Sequence, residues 1–95
     1  MSAYVLFTRM RTRNQSELDI YEQMAGSSLA GRDAQALALY GPQEVLEGDN
    51  SEGVVILSFP TRDAARAWYD SPAYQDARKH RMAGGDYQVT LVDGV

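Results

Sequence analysis

Four polar side chains with complementary chemistry occur close together in this sequence: Ser71, Tyr74, Arg78 and Arg81. A helix that begins at Ser71 would place Tyr74, Arg78 and Arg81 on one face, because helix neighbours are three or four positions apart. Arginine beside a phenol suits the binding of a carboxylate or an enolate. The group therefore predicts a polar lining at the mouth of a cavity. The alternative is that Ser71 only caps the helix, Tyr74 is packed, and the arginines pair with acids across a dimer.

Four further side chains are candidates for contact with a ligand. Trp68 could form a wall for a flat substrate, although a large aromatic on the inner side of a helix is usually core. Tyr21 and Tyr40 could place hydroxyls in a cavity, or could be core or interface residues with satisfied hydroxyls. Histidine is the side-chain type suited to acid–base chemistry near neutral pH, so His80 could act as a general base if it pointed into a pocket. It is flanked by cationic residues, however, and a lone histidine rarely carries catalysis without an orienting partner, so a surface histidine is expected.

The composition excludes several kinds of chemistry. The chain has no cysteine and one histidine, which rules out disulfides, thiol nucleophiles and the usual zinc sites. We therefore expect no metal and no cofactor. The formal net charge of −4 argues against generic binding of nucleic acid or of an anionic membrane. No phosphate-binding loop, dinucleotide motif or nucleophile elbow is present.

The length and the apolar runs limit the organisation of the chain. A chain of 95 residues predicts one domain spanning residues 1–95. The longest aliphatic run, residues 54–57, is too short to cross a bilayer. The N-terminus carries its basic residues after the apolar ones, the reverse of a secretory signal. Together with the lack of cysteine, these features predict a cytoplasmic protein.

The strands that must position the candidate residues follow from the hydrophobic pattern. In residues 3–10 and 53–59, apolar side chains occur at both odd and even positions, so both faces of each strand are apolar. This pattern predicts central strands that are covered on both sides. Alternation over residues 34–40 and 87–91 predicts edge strands. Gly41-Pro42 interrupts the first of these, which we expect to resume over residues 43–47.

Helix signals separate these strands. Asn14 with Glu17 resembles a capping box that opens a helix ending near Gly31. Thr61 is placed to cap a second helix. Ser71-Pro72 breaks that helix and starts another, since serine favours the cap and proline the first helical position.

The resulting order, βαββαβ, predicts a ferredoxin-like α+β fold with a four-stranded antiparallel sheet and a second helix broken in two. Right-handed crossovers place the helices on one side of that sheet. The opposite face would expose Val, Leu or Phe side chains over several strands. We therefore expect a homodimer in which two sheets face each other, and any ligand chamber would come from that union.

Several motifs resemble a known family. They are Glu47-Gly48, Phe59-Pro60, the run from Ala64 to Tyr69, Ser71-Pro72-Ala73-Tyr74, Arg81 and Val92-Asp93-Gly94. The chain resembles the family called domain of unknown function 1330 over nearly its whole length, and the S-P-x-Y motif is the most specific part. The resemblance implies a dimeric α+β barrel, a group that includes cofactor-free monooxygenases, muconolactone isomerase-like proteins and haem-binding members. Relatives often carry Arg-Gly-Gly where this chain has Tyr40-Gly41-Pro42.

Two functions are compatible with these observations. The first is a small-molecule site for an acidic or enolic metabolite, in a cofactor-independent isomerase or monooxygenase-like enzyme. The second is a non-catalytic dimeric module that binds a metabolite or supports a larger assembly. A pocket lined by Tyr74, Arg81 and another polar group favours the first, and a barrel filled by side chains favours the second.

Overall fold

The structure, a computed structural model, describes residues 2–95. Its elements are β1 (Ala3–Thr12), α1 (Gln15–Ser28), β2 (Gln35–Leu39), β3 (Gly53–Phe59), α2 (Arg62–Asp70), α3 (Pro72–Gly84) and β4 (Gly85–Asp93). The strands form one antiparallel sheet in the order β2-β3-β1-β4. This confirms the ferredoxin-like α+β fold, with β1 and β3 central and the second helix broken into α2 and α3.

All three helices begin at the predicted caps. The side chains of Asn14, Thr61 and Ser71 each accept a hydrogen bond from the backbone N–H three positions on, at 3.4, 3.0 and 3.3 Å. Such bonds satisfy donors that a helix start leaves without partners. The break between α2 and α3 is therefore a new helix start rather than a kink.

The predicted capping box at α1 is only half formed. Asn14 accepts from the backbone of Glu17, but the Glu17 carboxylate bonds to Nδ1 of His80 instead of returning to the cap. The backbone N–H of Asn14 donates to the carbonyl of Gly84 at 3.0 Å. The start of α1 is thus fastened to α3 by two separate contacts.

The edge strand β2 is shorter than the pattern predicts. It covers Gln35–Leu39, and the prediction that residues 43–47 resume the strand is wrong. Tyr40 adopts a left-handed conformation with φ of 52°, which turns the chain away from β3. Pro42 then lacks the N–H that a ladder would need. Residues 41–50 are exposed and irregular.

The core lies between the sheet and the helices. Its sheet residues are Val5, Phe7, Val55, Leu57 and Phe59, and its helix residues include Tyr21, Ala65, Trp68, Tyr74 and Ala77. Leu18 of α1 is fully buried beside Gly84, where an added Cβ would lie 2.7 Å from Leu18 Cδ2. A glycine at this position lets α1 and α3 approach closely. Leu18 precedes Tyr21 by about one helical turn, so this contact also positions Tyr21.

The other side of the sheet, here called the open face, carries no helix. Strand alternation assigns to it the half-buried side chains of Tyr4, Leu6, Val54 and Ile56. Thr8, Ser58 and Thr90 add polar groups to this face, whereas Val92, which pairs with Tyr4, extends its apolar surface onto β4. Both phenylalanines of the chain lie on the helix side instead. The open face is therefore more mixed than the predicted array of Val, Leu and Phe.

No helix within residues 2–95 combines the length and the apolar character needed to cross a membrane.

Candidate functional site

A cavity of about 390 Å³ lies on the helix side of the sheet, between α1 and strands β2 and β3. Its lining residues are Phe7, Tyr21, Glu22, Ala25, Gly26, Leu29, Ala36, Leu39, Tyr40, Val55, Leu57 and Trp68. The volume falls in the ordinary range for small-molecule sites, roughly 300–1,000 Å³. The cavity is formed within one chain, whereas the sequence predicts a chamber made by two chains.

The deepest wall of the cavity includes the only tryptophan of the chain. Trp68 is 1% exposed, and its Nε1 donates to Oγ of Ser28 at 3.0 Å. The Ser28 hydroxyl in turn donates to the Ala25 carbonyl at 2.6 Å. Because the indole N–H is satisfied by α1, the ring is held in place and contributes a flat apolar surface.

A buried pair of phenols lies at one end of the cavity. The hydroxyls of Tyr21 and Tyr74 are 2.9 Å apart, and either can donate. Burial raises the pKa of both side chains, while the nearby Arg81 guanidinium opposes that rise. Both phenols therefore stay neutral at physiological pH and act as hydrogen-bonding groups rather than as phenolates.

Arg81 lies behind this pair as a buried cation. The residue is 4% exposed, and its Cζ lies 6.0 Å from the Tyr21 ring centroid and 5.3 Å from that of Tyr87. Its Nε has no hydrogen-bond partner, and Arg81 forms no ion pair with a carboxylate in residues 2–95. Aromatic faces compensate a buried cation only in part. Arg81 thus places a positive charge close to the cavity that is compensated by the surrounding tyrosines and not by a carboxylate.

A second phenol pair joins the residue that follows β2 to β4. The hydroxyls of Tyr40 and Tyr87 are 2.8 Å apart, and the Arg9 guanidinium lies 4.7 Å from the Tyr40 ring centroid. The Tyr40 ring also fills the space above Gly53, where a Cβ would lie only 2.5 Å from its Cδ1. These contacts hold Tyr40 in its left-handed backbone conformation, which a non-glycine residue adopts at a cost.

The candidates predicted from sequence separate into distinct environments. Trp68, Tyr21 and Tyr40 line the cavity, and Tyr74 and Arg81 lie directly behind Tyr21. The structure thus brings residues from α1, β2, α2 and α3 together at one place.

The remaining candidates have partners elsewhere. Ser71 caps α3 and donates to the Trp68 carbonyl at 2.7 Å. Arg78 donates from Nε to the Tyr69 hydroxyl at 3.1 Å, and His80 bonds Glu17 at the half-buried start of α1. None of Ser71, Arg78 and His80 lines the cavity. The face of α3 that points inward carries Tyr74, Ala77 and Arg81.

Sequence reasoning missed Arg9, Tyr87, Glu22 and Gly26. Arg9 lies on the same face of β1 as Val5 and Phe7, because side chains two positions apart share a face. A charged residue at such a core-facing position could have been noticed in the sequence. The partnership of Tyr87 with Tyr40 depends on strand order and had no local signal. Nothing in the sequence distinguished Glu22 and Gly26 from other residues of α1 as lining a cavity.

Within residues 2–95, no group of three or more His, Cys, Asp and Glu side chains is arranged to hold a metal ion. The lining of the cavity is predominantly apolar and contains one carboxylate, that of Glu22. Such a surface suits an organic ligand with few polar groups.

Comparison with known proteins gives the following relationships. The family model described as domain of unknown function (DUF1330) matches residues 2–95. A protein of unknown function from Rhodopseudomonas palustris superposes with a TM-score of 0.75 at 18% identity, over 99% of this chain and 82% of that one. No curated protein matches the chain.

Two further structures are similar at lower identity. SnoaB, a cofactor-independent oxygenase from Streptomyces nogalater, has a TM-score of 0.68 at 14% identity, over 99% of this chain and 93% of that one. A dimeric ferredoxin-like protein of unknown function from Thermobifida fusca has a TM-score of 0.67 at 14% identity, over 99% and 92%. At these identities the likeness establishes the fold alone.

The buried phenols give a test by pH. Because the pKa values of Tyr21, Tyr40 and Tyr74 are raised in the folded state, these groups keep their protons above about pH 10, where an unfolded chain loses them. Their contribution to stability is therefore complete below that pH and declines as the pH rises further. Phenolate absorbance of the native protein should show only part of the six tyrosines ionising near pH 10.

Tyr21, Tyr40 and Tyr74 should ionise only as the protein unfolds in alkali. Tyr21→Phe should reduce the amplitude of this late phase. If all six tyrosines of the native protein ionise together near the pKa of tyrosine in an unfolded chain, then these phenols are not buried as described.

Proposed function

The chain belongs to the family described as domain of unknown function (DUF1330), and we propose that its cavity binds a small, flat organic molecule that carries an enolic or acidic oxygen. The observation that carries this proposal is the buried charge of Arg81, which has no carboxylate partner and lies behind a phenol that lines the cavity. A ligand oxygen that bears negative charge would compensate it.

The shape and the lining of the cavity support a flat ligand. Phe7 and Trp68 give it aromatic walls, and aliphatic residues of β3 complete them. Aromatic walls favour planar ligands because ring faces stack with little loss of conformational entropy. A ligand of this kind would lie against Trp68 with its polar end directed to Tyr21.

The phenol pair supplies a route by which the charge of Arg81 acts on the ligand. When Tyr74 donates to Tyr21, the proton of Tyr21 is free to donate to a ligand oxygen. The positive charge near Tyr74 favours this direction of donation, since it strengthens the acidity of the Tyr74 proton. An enolate oxygen would then accept a hydrogen bond from Tyr21 in a site from which water is largely excluded.

Stabilisation of an enolate is a requirement of isomerisation and oxygenation without a cofactor. The similarity of fold to SnoaB, which is a cofactor-independent oxygenase, supports this reaction class by analogy. In such a reaction Tyr21 and Arg81 would hold the developing negative charge. The substrate would need a readily lost proton, because the phenols at the buried end are neutral donors and the only lining carboxylate within residues 2–95, that of Glu22, lies at the exposed end.

The lack of a base at the buried end of the cavity, away from the exposed Glu22, favours a second candidate, a non-catalytic binding module. Burial raises the pKa of Tyr21 and of Tyr40, and His80 is paired with Glu17 away from the cavity. A site that holds an acidic compound without transforming it needs only the donors and the buried charge. Turnover of a bound compound under oxygen distinguishes the enzyme from the module.

We also propose that two copies associate through the open face. The apolar centre formed by Tyr4, Leu6, Val54 and Ile56 lies on the two central strands, where a second sheet could cover it. Relatives from Thermobifida fusca and Bacteroides fragilis are described as dimeric, which supports this arrangement.

Binding can be tested with a hydroxynaphthoquinone, a flat ring pair with an acidic enol, and with its methyl ether. Quenching of Trp68, the only tryptophan, reports occupancy of the cavity. We expect Tyr21→Phe to weaken binding of the enol by roughly tenfold or more, because a hydrogen bond to a charged oxygen contributes about 1.5–3 kcal/mol. The methyl ether should bind both proteins similarly.

The matched control is Tyr69→Phe, which removes a phenol that accepts from Arg78 and does not line the cavity. It should leave binding of both compounds unchanged. Equal weakening of the enol and of the ether by Tyr21→Phe would mean that Tyr21 acts through packing, and the proposed charge recognition would then be wrong.

The dimer can be tested by sedimentation velocity. Leu6 and Ile56 face each other across β1 and β3, so Ile56→Lys places a charge in the centre of the proposed interface. We expect the wild-type chain to sediment as a dimer and Ile56→Lys as a monomer, since burying an unpaired ammonium is strongly unfavourable. Ile20→Lys makes the same exchange at an exposed position of α1 and should remain dimeric. A monomeric wild-type chain at micromolar concentration would refute the proposal.

A further inference from the structure

The cavity opens to solvent between α1 and β2. Its exposed lining residues are Glu22 and Gly26 on α1, and Ala36 and Leu39 on β2. These four residues are called the entrance below. The opposite end of the cavity is buried and adjoins Tyr21 and Trp68. Any ligand must therefore pass the entrance, and its last-entering end must remain close to these residues.

Glu22 gives the entrance a negative charge. It is the one lining residue with a formal charge, and it forms no ion pair within residues 2–95. Burial raises the pKa of Tyr40, the Arg9 guanidinium opposes that rise and the Glu22 carboxylate adds to it, so the field of Glu22 reaches Tyr40. The buried end of the cavity, in contrast, lies close to the positive charge of Arg81. Glu22 at the exposed end of the cavity and Arg81 behind its buried end thus carry opposite charges.

Gly26 keeps the entrance open. It lies one turn after Glu22 on the same face of α1, and a Cβ added there would meet no atom within 4 Å. Gly26 lies in the last turn of α1, where glycine is a poorer helix former than alanine, and no contact within residues 2–95 requires a glycine there. The space beside it is part of the cavity lining.

We propose that the entrance orients and selects the ligand, which enters with its enolic or acidic oxygen first and keeps a cationic or hydrogen-bond-donating group beside Glu22 and Gly26. This inference rests on the proposed function, because it concerns the same cavity. It restricts the ligand class further: a molecule with an acidic and a basic end is preferred over one with acidic groups at both ends.

The selectivity can be measured with two naphthols that differ only at the ring remote from the hydroxyl. One carries an aminomethyl group and the other a carboxymethyl group. Calorimetric titration gives the ratio of their dissociation constants. We expect the wild-type chain to prefer the aminomethyl compound by about threefold to tenfold at low ionic strength, because a partly exposed charge pair contributes on the order of 1 kcal/mol. Added salt should reduce the preference.

Glu22→Lys should reverse the preference. The matched control is Asp19→Lys, which changes the net charge equally at an exposed position of α1 outside the lining. It should leave the ratio close to that of the wild-type chain. A ratio that Glu22→Lys does not change, or that Asp19→Lys changes as much, would overturn the proposed selection at the entrance.

The role of Gly26 has a kinetic test. Gly26→Leu should slow association of the aminomethyl naphthol severalfold in stopped-flow experiments, because the side chain occupies the opening. Ser27→Leu changes the neighbouring exposed residue, which lies outside the lining, and should leave the association rate unchanged. Equal association rates in Gly26→Leu and in the wild-type chain would show that ligands do not pass this point.

Failure of this inference is distinguishable from failure of the proposed function. If both naphthols bind and Tyr21 is required but Glu22 has no effect, only the entrance is wrong. If neither naphthol nor the hydroxynaphthoquinone binds, the ligand site itself is wrong and the entrance with it.

Discussion

The candidate site is built around a buried guanidinium that has no carboxylate partner within residues 2–95. Arg81 is 4% exposed and is surrounded by tyrosine rings instead of acids. Removing a charge from water is costly, and cation–π contacts return only part of that cost. The fold nevertheless brings this residue inside, because the inward face of α3 runs through Tyr74, Ala77 and Arg81. The break at Ser71 matters because α3 begins there as a separate helix, and the orientation of that helix turns Arg81 inward.

The two sides of the sheet differ in what covers them. On the helix side, the core closes around Trp68 and leaves a cavity beside α1 within one chain. On the open face, apolar side chains of β1, β3 and β4 lie among polar ones. The proposed association of two chains therefore does not create the ligand site, and the two proposals stand on separate observations. A protein of this size, with limited area to bury, would gain stability from a partner.

The sequence predicts those parts of the fold that depend on local signals. The central positions of β1 and β3 follow from apolar residues on both parities, and the caps at Asn14, Thr61 and Ser71 follow from side-chain chemistry. The end of β2 could not be predicted as well, because the left-handed conformation of Tyr40 depends on Gly53 across the sheet and on Arg9 above the ring.

The candidate site was only partly predictable for a related reason. Residue type alone singled out Tyr21, Trp68, Tyr74 and Arg81, but which of them share a cavity depends on the packing of α1 against the sheet. The pairing of Tyr40 with Tyr87 joins strands at opposite edges of the sheet, so no local pattern could indicate it. Sequence reasoning therefore found the chemistry of the site more readily than its position.

The central claim is that Arg81 is retained for ligand binding at the expense of stability. The most direct test is Arg81→Met, which keeps a long flexible side chain and removes the charge. Urea unfolding of the ligand-free protein should show a free energy of unfolding that is unchanged or higher, because apolar replacements of buried charges are often neutral or stabilising by roughly 1–4 kcal/mol. Binding of the enol should be lost while that of its methyl ether remains. A variant that is strongly destabilised yet binds the enol as tightly as the wild-type chain would contradict this account.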